Sequence, residues 1–599
     1  MITYRVALAD LHSHHFEVTL TVPQPAADQL LALPVWIAGS YMVREFGRHL
    51  SGLSASQGRR ELPVEQLDKS RWRVRCSGRG ALLLRYRVYA FDNSVRAAFL
   101  DTQRGFFNGS SLCLRVLGRE TEPHRLQLGR LPAGWQVATA MAASSDGALQ
   151  AFEAADYDEL LDHPFELGRF WRASFEAGGV VHEFVVAGAL PGFDGARLLA
   201  DAQRICAQQI AFWHDASPGV AASAPPFQRY VFLLNAVTEG YGGLEHRAST
   251  ALIAARRDLP RERSDPMANG EGYATLLGLI SHEYFHTWNV KRLKPAELVA
   301  IDHQTENYTR LLWFFEGFTS YYDDLMLLRC GLIDATRYLR LLAKTLNAVA
   351  ATPGRAVQSV AEASFDAWVK YYRADENTPN ATVNYYLKGS LVALTIDLTL
   401  RQQGASLDEL MRGLWQRCAG PTPDDGLAGG NPGHRPLTEH DIAEVLAQVA
   451  GRRMDDLLHD WVHGTDELPL ADLLQAIGVQ LRPERAGFAA ALGLRLSEGP
   501  VTGVQVRSVL DGSAAAVAGL SAGDELLAVD GWRIRRLDDA QAWVQRDQPF
   551  DLLLVRDQRV MHLRLRPDAA APLADTVSLL LDDKPGRRVA ARRRAWLGV

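Results

Sequence analysis

Polar and apolar positions alternate along the first part of the chain. Phe16, Val18, Leu20 and Val22 are separated by Glu17, Thr19 and Thr21. Trp72, Val74 and Cys76 alternate with Arg71, Arg73 and Arg75, and Leu84, Tyr86, Val88 and Ala90 keep the same period of two. Such alternation gives strands with one buried and one wet face, so residues 1–165 are expected to form a β domain. From about 166 the pattern is mixed. Val180 to Val186 and Tyr230 to Val237 are apolar runs of strand length, and Ala274 to Trp288 reads as a buried helix. Beyond 330 the helical period dominates, with helix starts at Ser406/Glu409 and Thr438/Asp441. The Gly- and Pro-rich stretch Ala419 to Pro436 between them reads as a loop.

Near 480 the character changes again. Gly503 to Val509 reads as a strand, Gly512 to Leu520 is small and Ala-rich, and Ser521 to Asp524 and Asp530-Gly531 give turns. The end of the chain carries Lys584, Arg587, Arg588, Arg592, Arg593 and Arg594 with no acid among them. It is expected to be a solvated, frayed terminus.

Composition narrows the class. A chain of 599 residues has room for about four domains. With 47% hydrophobic and 22% charged residues, it is expected to fold into globular domains. Its 64 basic and 70 acidic residues leave a net charge of −6, so no global basic field attracts nucleic acid. Cys76, Cys113, Cys206, Cys330 and Cys418 form no CxxC pair, which argues for a reducing compartment and against a thiolate metal site. Met1 to Thr21 lacks the apolar core of a signal peptide, and no apolar run reaches the ~18 residues of a membrane span. The expected location is the cytoplasm. His12, His14 and His15 cluster near the start, but no carboxylate or cysteine joins them at ligand spacing, so they read as exposed strand residues.

The chemistry concentrates at His282-Glu283-Tyr284-Phe285-His286. Two histidines at i and i+4 share one helix face, so both imidazoles can bind one ion. Glu283 then lies beside the open coordination position, where it can take a proton from a metal-activated water. A third ligand has to come from elsewhere. Glu316 stands between aromatics in Leu311 to Thr319, where an ionised carboxylate needs a cation. Glu306 competes, but its neighbours Asp302, His303, Gln304 and Asn307 are polar and loop-like. Gly242-Gly243-Leu244-Glu245 would let another backbone approach a strand edge closely, with a carboxylate two residues on.

Together these motifs resemble the gluzincin zinc aminopeptidases, and more narrowly the glycyl aminopeptidase family, whose members carry a PDZ domain behind the catalytic region. The likeness rests on His282 to His286 followed by Leu312-Trp313-Phe314-Phe315-Glu316-Gly317, and on Gly242 to Arg247. It extends to Thr287-Trp288-Asn289-Val290-Lys291-Arg292-Leu293-Lys294-Pro295, to Tyr386-Leu387-Lys388-Gly389, and to Pro34 to Tyr41. The resemblance implies that Glu245 anchors the substrate's free N-terminus and that Tyr386, with Tyr385 next in register, steadies the oxyanion. It also implies a preference for N-terminal Gly or Ala. Ala514 to Gly531 resembles a bacterial PDZ domain, with Leu492-Gly493-Leu494 as its carboxylate-binding loop.

The expected architecture is multidomain α+β. An N-terminal β domain (1–165) precedes a thermolysin-like zinc metallopeptidase domain (166–330), a helical domain (331–480), a PDZ domain (481–570) and a basic tail (571–599). The expected enzyme is a hydrolase with one Zn2+ on His282, His286 and Glu316, Glu283 as base and Tyr386 as electrophile. Gly242, Gly243 and Glu245 would bind peptides with a free N-terminus. A zinc endopeptidase, or an inert protein that binds peptides through its PDZ domain, are the competing readings.

Overall fold

The computed structural model describes residues 1–77, 80–215, 223–262, 270–419, 435–567 and 576–598. The Gly- and Pro-rich loop expected from 419 to 436 falls largely outside the described residues. The chain forms two compact units: Met1–Tyr308 with Cys330–Leu332 and Met411–Thr438, and Thr309–Arg329 with Ile333–Leu410 and Glu439–Val599.

The first unit opens with an eight-stranded sheet built around Ile2–Asp10, His15–Val22 and Leu82–Tyr89. Along His15–Val22 the apolar positions are buried and those between are half-buried, as the alternation requires. A second, five-stranded sheet follows. Val180–Ala187, Arg229–Val237 and Ser249–Ala255 run parallel, and Tyr241–Glu245 closes the edge antiparallel to Ser249–Ala255. Arg229–Val237 is buried at every position after the first, which is why it reads as an unbroken apolar run. The helix Glu271–Phe285 is buried over most of its circumference. The pattern predicts Ala274 to Trp288; the helix starts earlier and stops at Phe285. His286 to Trp288 continue as tight turns, with Thr287 and Trp288 donating to the carbonyls of Tyr284 and Phe285. All five cysteines are free.

In the second unit, the helices Leu312–Arg329 and Tyr385–Gln402 pack face to face. They cross where both lack a side chain: a Cβ on Gly317 would meet Gly389 Cα at 2.5 Å, and a Cβ on Gly389 would meet Trp313 O at 2.5 Å. The PDZ-like sheet runs Leu494–Gly499, Gly503–Val509, Glu525–Val529, Phe550–Arg556, Arg559–Leu565, with Leu494–Gly499 at its edge. It has a core of its own, including Phe488, Val504, Val506, Leu526, Phe550 and Leu552. Asn380 ties it to the helices by donating to Val509 O and accepting from Asp511 N–H. In the expected carboxylate-binding loop, the N–H groups of Leu492 and Gly493 already donate to the carbonyls of Phe488 and Ala490.

The basic tail is not frayed. Thr576–Leu581 pairs antiparallel with Val479–Glu484, and Arg587–Leu597 is a helix. Trp596 and Leu597 are fully buried. The Trp596 indole donates to Tyr321 Oη, Tyr321 donates to Asp397, and Arg401 bridges Asp397 and Ala595 O. The six cations mark the wet face of this helix, and the two residues that dock it are too few to show as a periodic pattern. Trp596→Ala should destabilise the second unit by about 3–5 kcal/mol, the range for emptying a core tryptophan site. Chemical denaturation checks this; a midpoint equal to wild type would mean that the tail contributes nothing.

Candidate active site

The helix Glu271–Phe285 presents His282 and Glu283 from its last turn, and His286 follows with helical backbone angles, its N–H still donating to His282 O. The i, i+4 spacing therefore holds although the helix formally ends one residue earlier. His286 Nδ1 lies 2.8 Å from Asn289 O. A carbonyl only accepts, so Nδ1 carries the proton and Nε2 presents a lone pair. That Nε2 stands 3.1 Å from His282 Nε2. One cation can accept both nitrogens. A carboxylate oxygen of Glu316 belongs to the same group, all three ligand atoms lying within 4.8 Å of one another. Two neutral imidazoles and a carboxylate suit Zn2+. Among the described residues Glu306 joins no such group.

Gly243 explains the position of Glu283. A Cβ on Gly243 would meet the Glu283 carboxyl carbon at 2.2 Å, so the base occupies the space where any other residue would carry a side chain. Glu283 is 5% exposed. Arg96, which sequence reading passes over, donates from Nη2 to Gly243 O at 3.3 Å and braces the same strand. Gly242 has φ +150, which an L side chain resists.

Glu245 ends this edge strand. Its carboxylate lies over Gly39, whose Cβ would meet Glu245 Oε1 at 2.5 Å and whose φ is +88. Gly39 is the second residue whose role the sequence hides, because the contact joins segments some two hundred residues apart. Glu245 is buried and lines a cavity with Gly39, Tyr41, Trp36 and Lys294. Among the described residues its carboxylate makes no hydrogen bond or ion pair.

Tyr385 and Tyr386 open the helix Tyr385–Gln402, capped by Asn384 Oδ1. Tyr385 is fully buried, whereas Tyr386 is half-buried. Burial, and next the Glu316 carboxylate, hold the Tyr386 hydroxyl well above its ordinary pKa. It therefore stays protonated and able to donate. The Gly317–Gly389 crossing brings the turns carrying Glu316 and Tyr386 together.

Fold and site together define a metallopeptidase with a two-histidine, one-glutamate group. Family comparison agrees: residues 3–169 match the Peptidase M61 N-terminal domain, residues 275–392 the M61 glycyl aminopeptidase, and residues 505–556 a PDZ domain. A crystal structure of an aminopeptidase N family protein from Idiomarina loihiensis is 36% identical over 100% of both chains, with a TM-score of 0.89. An M1 zinc metallopeptidase from Deinococcus radiodurans is 13% identical, with a TM-score of 0.46 over 78% of this chain and 94% of that one. A mutant of an M1 zinc metallopeptidase from Deinococcus radiodurans, bound to a Tyr-Ser-Ala substrate, is 12% identical with a TM-score of 0.45, covering 78% and 94%. A search of curated proteins finds no match. The chain belongs to the M61 glycyl aminopeptidase family and is a peptidase. Among the described residues no helix is long and apolar enough to cross a membrane.

The glycine geometry makes a direct prediction. Gly243→Ala should keep its metal and its fold but lose about 100-fold in kcat, because the new methyl displaces the base by an ångström or more. Gly270→Ala, where a Cβ meets nothing within 4 Å, is the control. Equal turnover in both variants would remove Glu283 from the role of base.

Proposed function

We propose that the protein is a zinc aminopeptidase that removes the first residue of peptides with a free N-terminus, favouring Gly or Ala. The observation that carries this reading is Glu245: a buried carboxylate that lines a cavity and has no cation among the described residues. An isolated charge in such a place costs several kcal/mol unless a ligand supplies its partner. The α-ammonium of a peptide does so. An endopeptidase, which binds internal segments, has no such group to offer.

His282, His286 and Glu316 would hold one Zn2+, which when bound polarises the scissile carbonyl and brings the pKa of a water toward ~7. Glu283 takes the proton of the attacking water and passes it to the departing amine. Tyr386 donates its hydroxyl proton to the developing oxyanion as a hydrogen bond. Glu245 holds the amine and fixes which peptide bond is cut. The metal-ligating residues and the base are all present, which disfavours an inert peptide-binding protein. For the PDZ-like domain, the free edge of Leu494–Gly499 and the occupied N–H groups of Leu492 and Gly493 support strand addition over capture of a peptide C-terminus.

Glu245→Ala should weaken unblocked Gly- and Ala-initiated peptides by about 2–5 kcal/mol in kcat/KM, the scale of a broken buried charge pair. N-acetylated peptides should be poor substrates of the wild type. Mass spectrometry of the cleavage position decides: internal cuts in acetylated peptides at the free-peptide rate would make the enzyme an endopeptidase. Tyr386→Phe should lose about two to three orders of magnitude in kcat with KM little changed. A larger loss in Tyr385→Phe would move the role one residue.

A further inference from the structure

Behind Glu245 lies a second cavity, contiguous with the first through Trp36, Ala38, Lys291, Lys294 and Ile301, which line both. It encloses about 630 Å³, part of it open to solvent. Its charges do not balance. Arg247, Lys291 and Lys294 face only Asp158 and Asp162. Asp162 is fully committed: Arg247 Nε at 3.1 Å, Lys291 Nζ at 3.2 Å and His246 Nδ1 at 3.3 Å all converge on it, and Arg247 N–H donates to it as well. Asp158 is engaged by His303 Nε2 at 3.1 Å. Lys294 is left over, with no carboxylate within ion-pair distance among the described residues. Burial, then Arg247 and Lys291, bring its pKa down to about 8, as for an ammonium short of a counter-charge.

Three further atoms of this lining lack partners. Ser110 Oγ, His246 Nε2 and His303 Nδ1 are buried and make no hydrogen bond among the described residues, on side chains 1%, 2% and 6% exposed. Buried polar atoms in this position call for a ligand or water. The excess charge is one, which suits a monovalent anion better than a phosphate. The walls contributed by Trp36, Leu161, Val299 and Ile301 are apolar and the space exceeds that of a halide. We propose that this cavity binds the carboxylate of a small organic anion, with Lys294 as the principal counter-charge and Ser110 as a hydrogen-bond donor. The carboxylate has two possible sources: the side chain of an acidic first residue whose amine sits on Glu245, or a separate carboxylate molecule beside the substrate. The first source rests on the amine-anchoring reading of Glu245; the site itself does not.

Isothermal titration calorimetry on the zinc-loaded full chain tests the site with butyrate and its neutral isostere butyramide at fixed ionic strength. Butyrate should bind saturably and butyramide at least tenfold more weakly. Lys294→Gln should weaken butyrate at least tenfold and Ser110→Ala by a smaller factor, which keeps the test alive if one variant fails to fold. Equal binding of the two probes, or butyrate affinity unchanged in Lys294→Gln as for a carboxylate sitting on the metal, overturns the proposal. Glu- and Gln-initiated aminoacyl reporters then assign the source. A tenfold preference for Glu that collapses in Lys294→Gln makes the carboxylate the substrate's own, whereas no preference beside calorimetric binding makes it a separate ligand. Because calorimetry needs no turnover, it stands whether or not Glu245 proves to anchor the amine.

Discussion

Carboxylates taken out of water dictate the layout of this molecule. Glu245, Glu283 and Glu316 are each 5% exposed or less, and burying an ionised carboxylate is tolerated only when something positive comes to it. At Glu316 a metal on His282 and His286 would supply the charge. At Glu245 the substrate would. The enzyme is therefore built so that its charges are balanced only when its ligands are in place, and the remaining geometry keeps those carboxylates from finding cheaper partners.

Glycine does much of that work. Gly243 yields its side-chain space to Glu283, Gly39 yields its own to Glu245, and Gly317 and Gly389 let two helices touch backbone to backbone. None of these four is a chemical participant. Each removes a methyl that would push a reactive group away by an ångström or more, and at that scale catalysis falls by orders of magnitude. The glycines of the family motifs are thus explained by packing around carboxylates rather than by flexibility.

What was legible in the sequence follows the same division. The two histidines and Glu283 announce themselves because helical spacing alone puts them on one face. The alternation of Phe16 to Val22 gave the first sheet for a similar, local reason. Glu316, Glu245 and Tyr386 needed a resemblance, because their partners lie far off in sequence. Gly39, Arg96 and the cavity around Lys294 were illegible: each depends on contacts across some fifty to two hundred residues, and no local pattern encodes them. The tail was misread because charge is easy to count, while Trp596 and Leu597, only two residues, decide where the helix goes.

The edge strand Tyr241–Glu245 also acts as a ruler on the proposed reading. Gly243 and Glu245 are two residues apart, so their side-chain directions point to one face of the strand. Glu283 fills the Gly243 position on that face. The base and the amine anchor are thus offset by about 6.6–6.8 Å along the strand, two rises of an extended chain. A charge-assisted hydrogen bond of about 2.8 Å from Glu245 to the amine, then the two bonds from the amine to the first carbonyl carbon, span most of that offset. They leave about 3 Å for the attacking water. A second residue would add about 3.5 Å and carry the next carbonyl past the base. On this geometry the single-residue cut follows from strand spacing, and nothing beyond the fixed distance between two carboxylates on one strand face is required to enforce it.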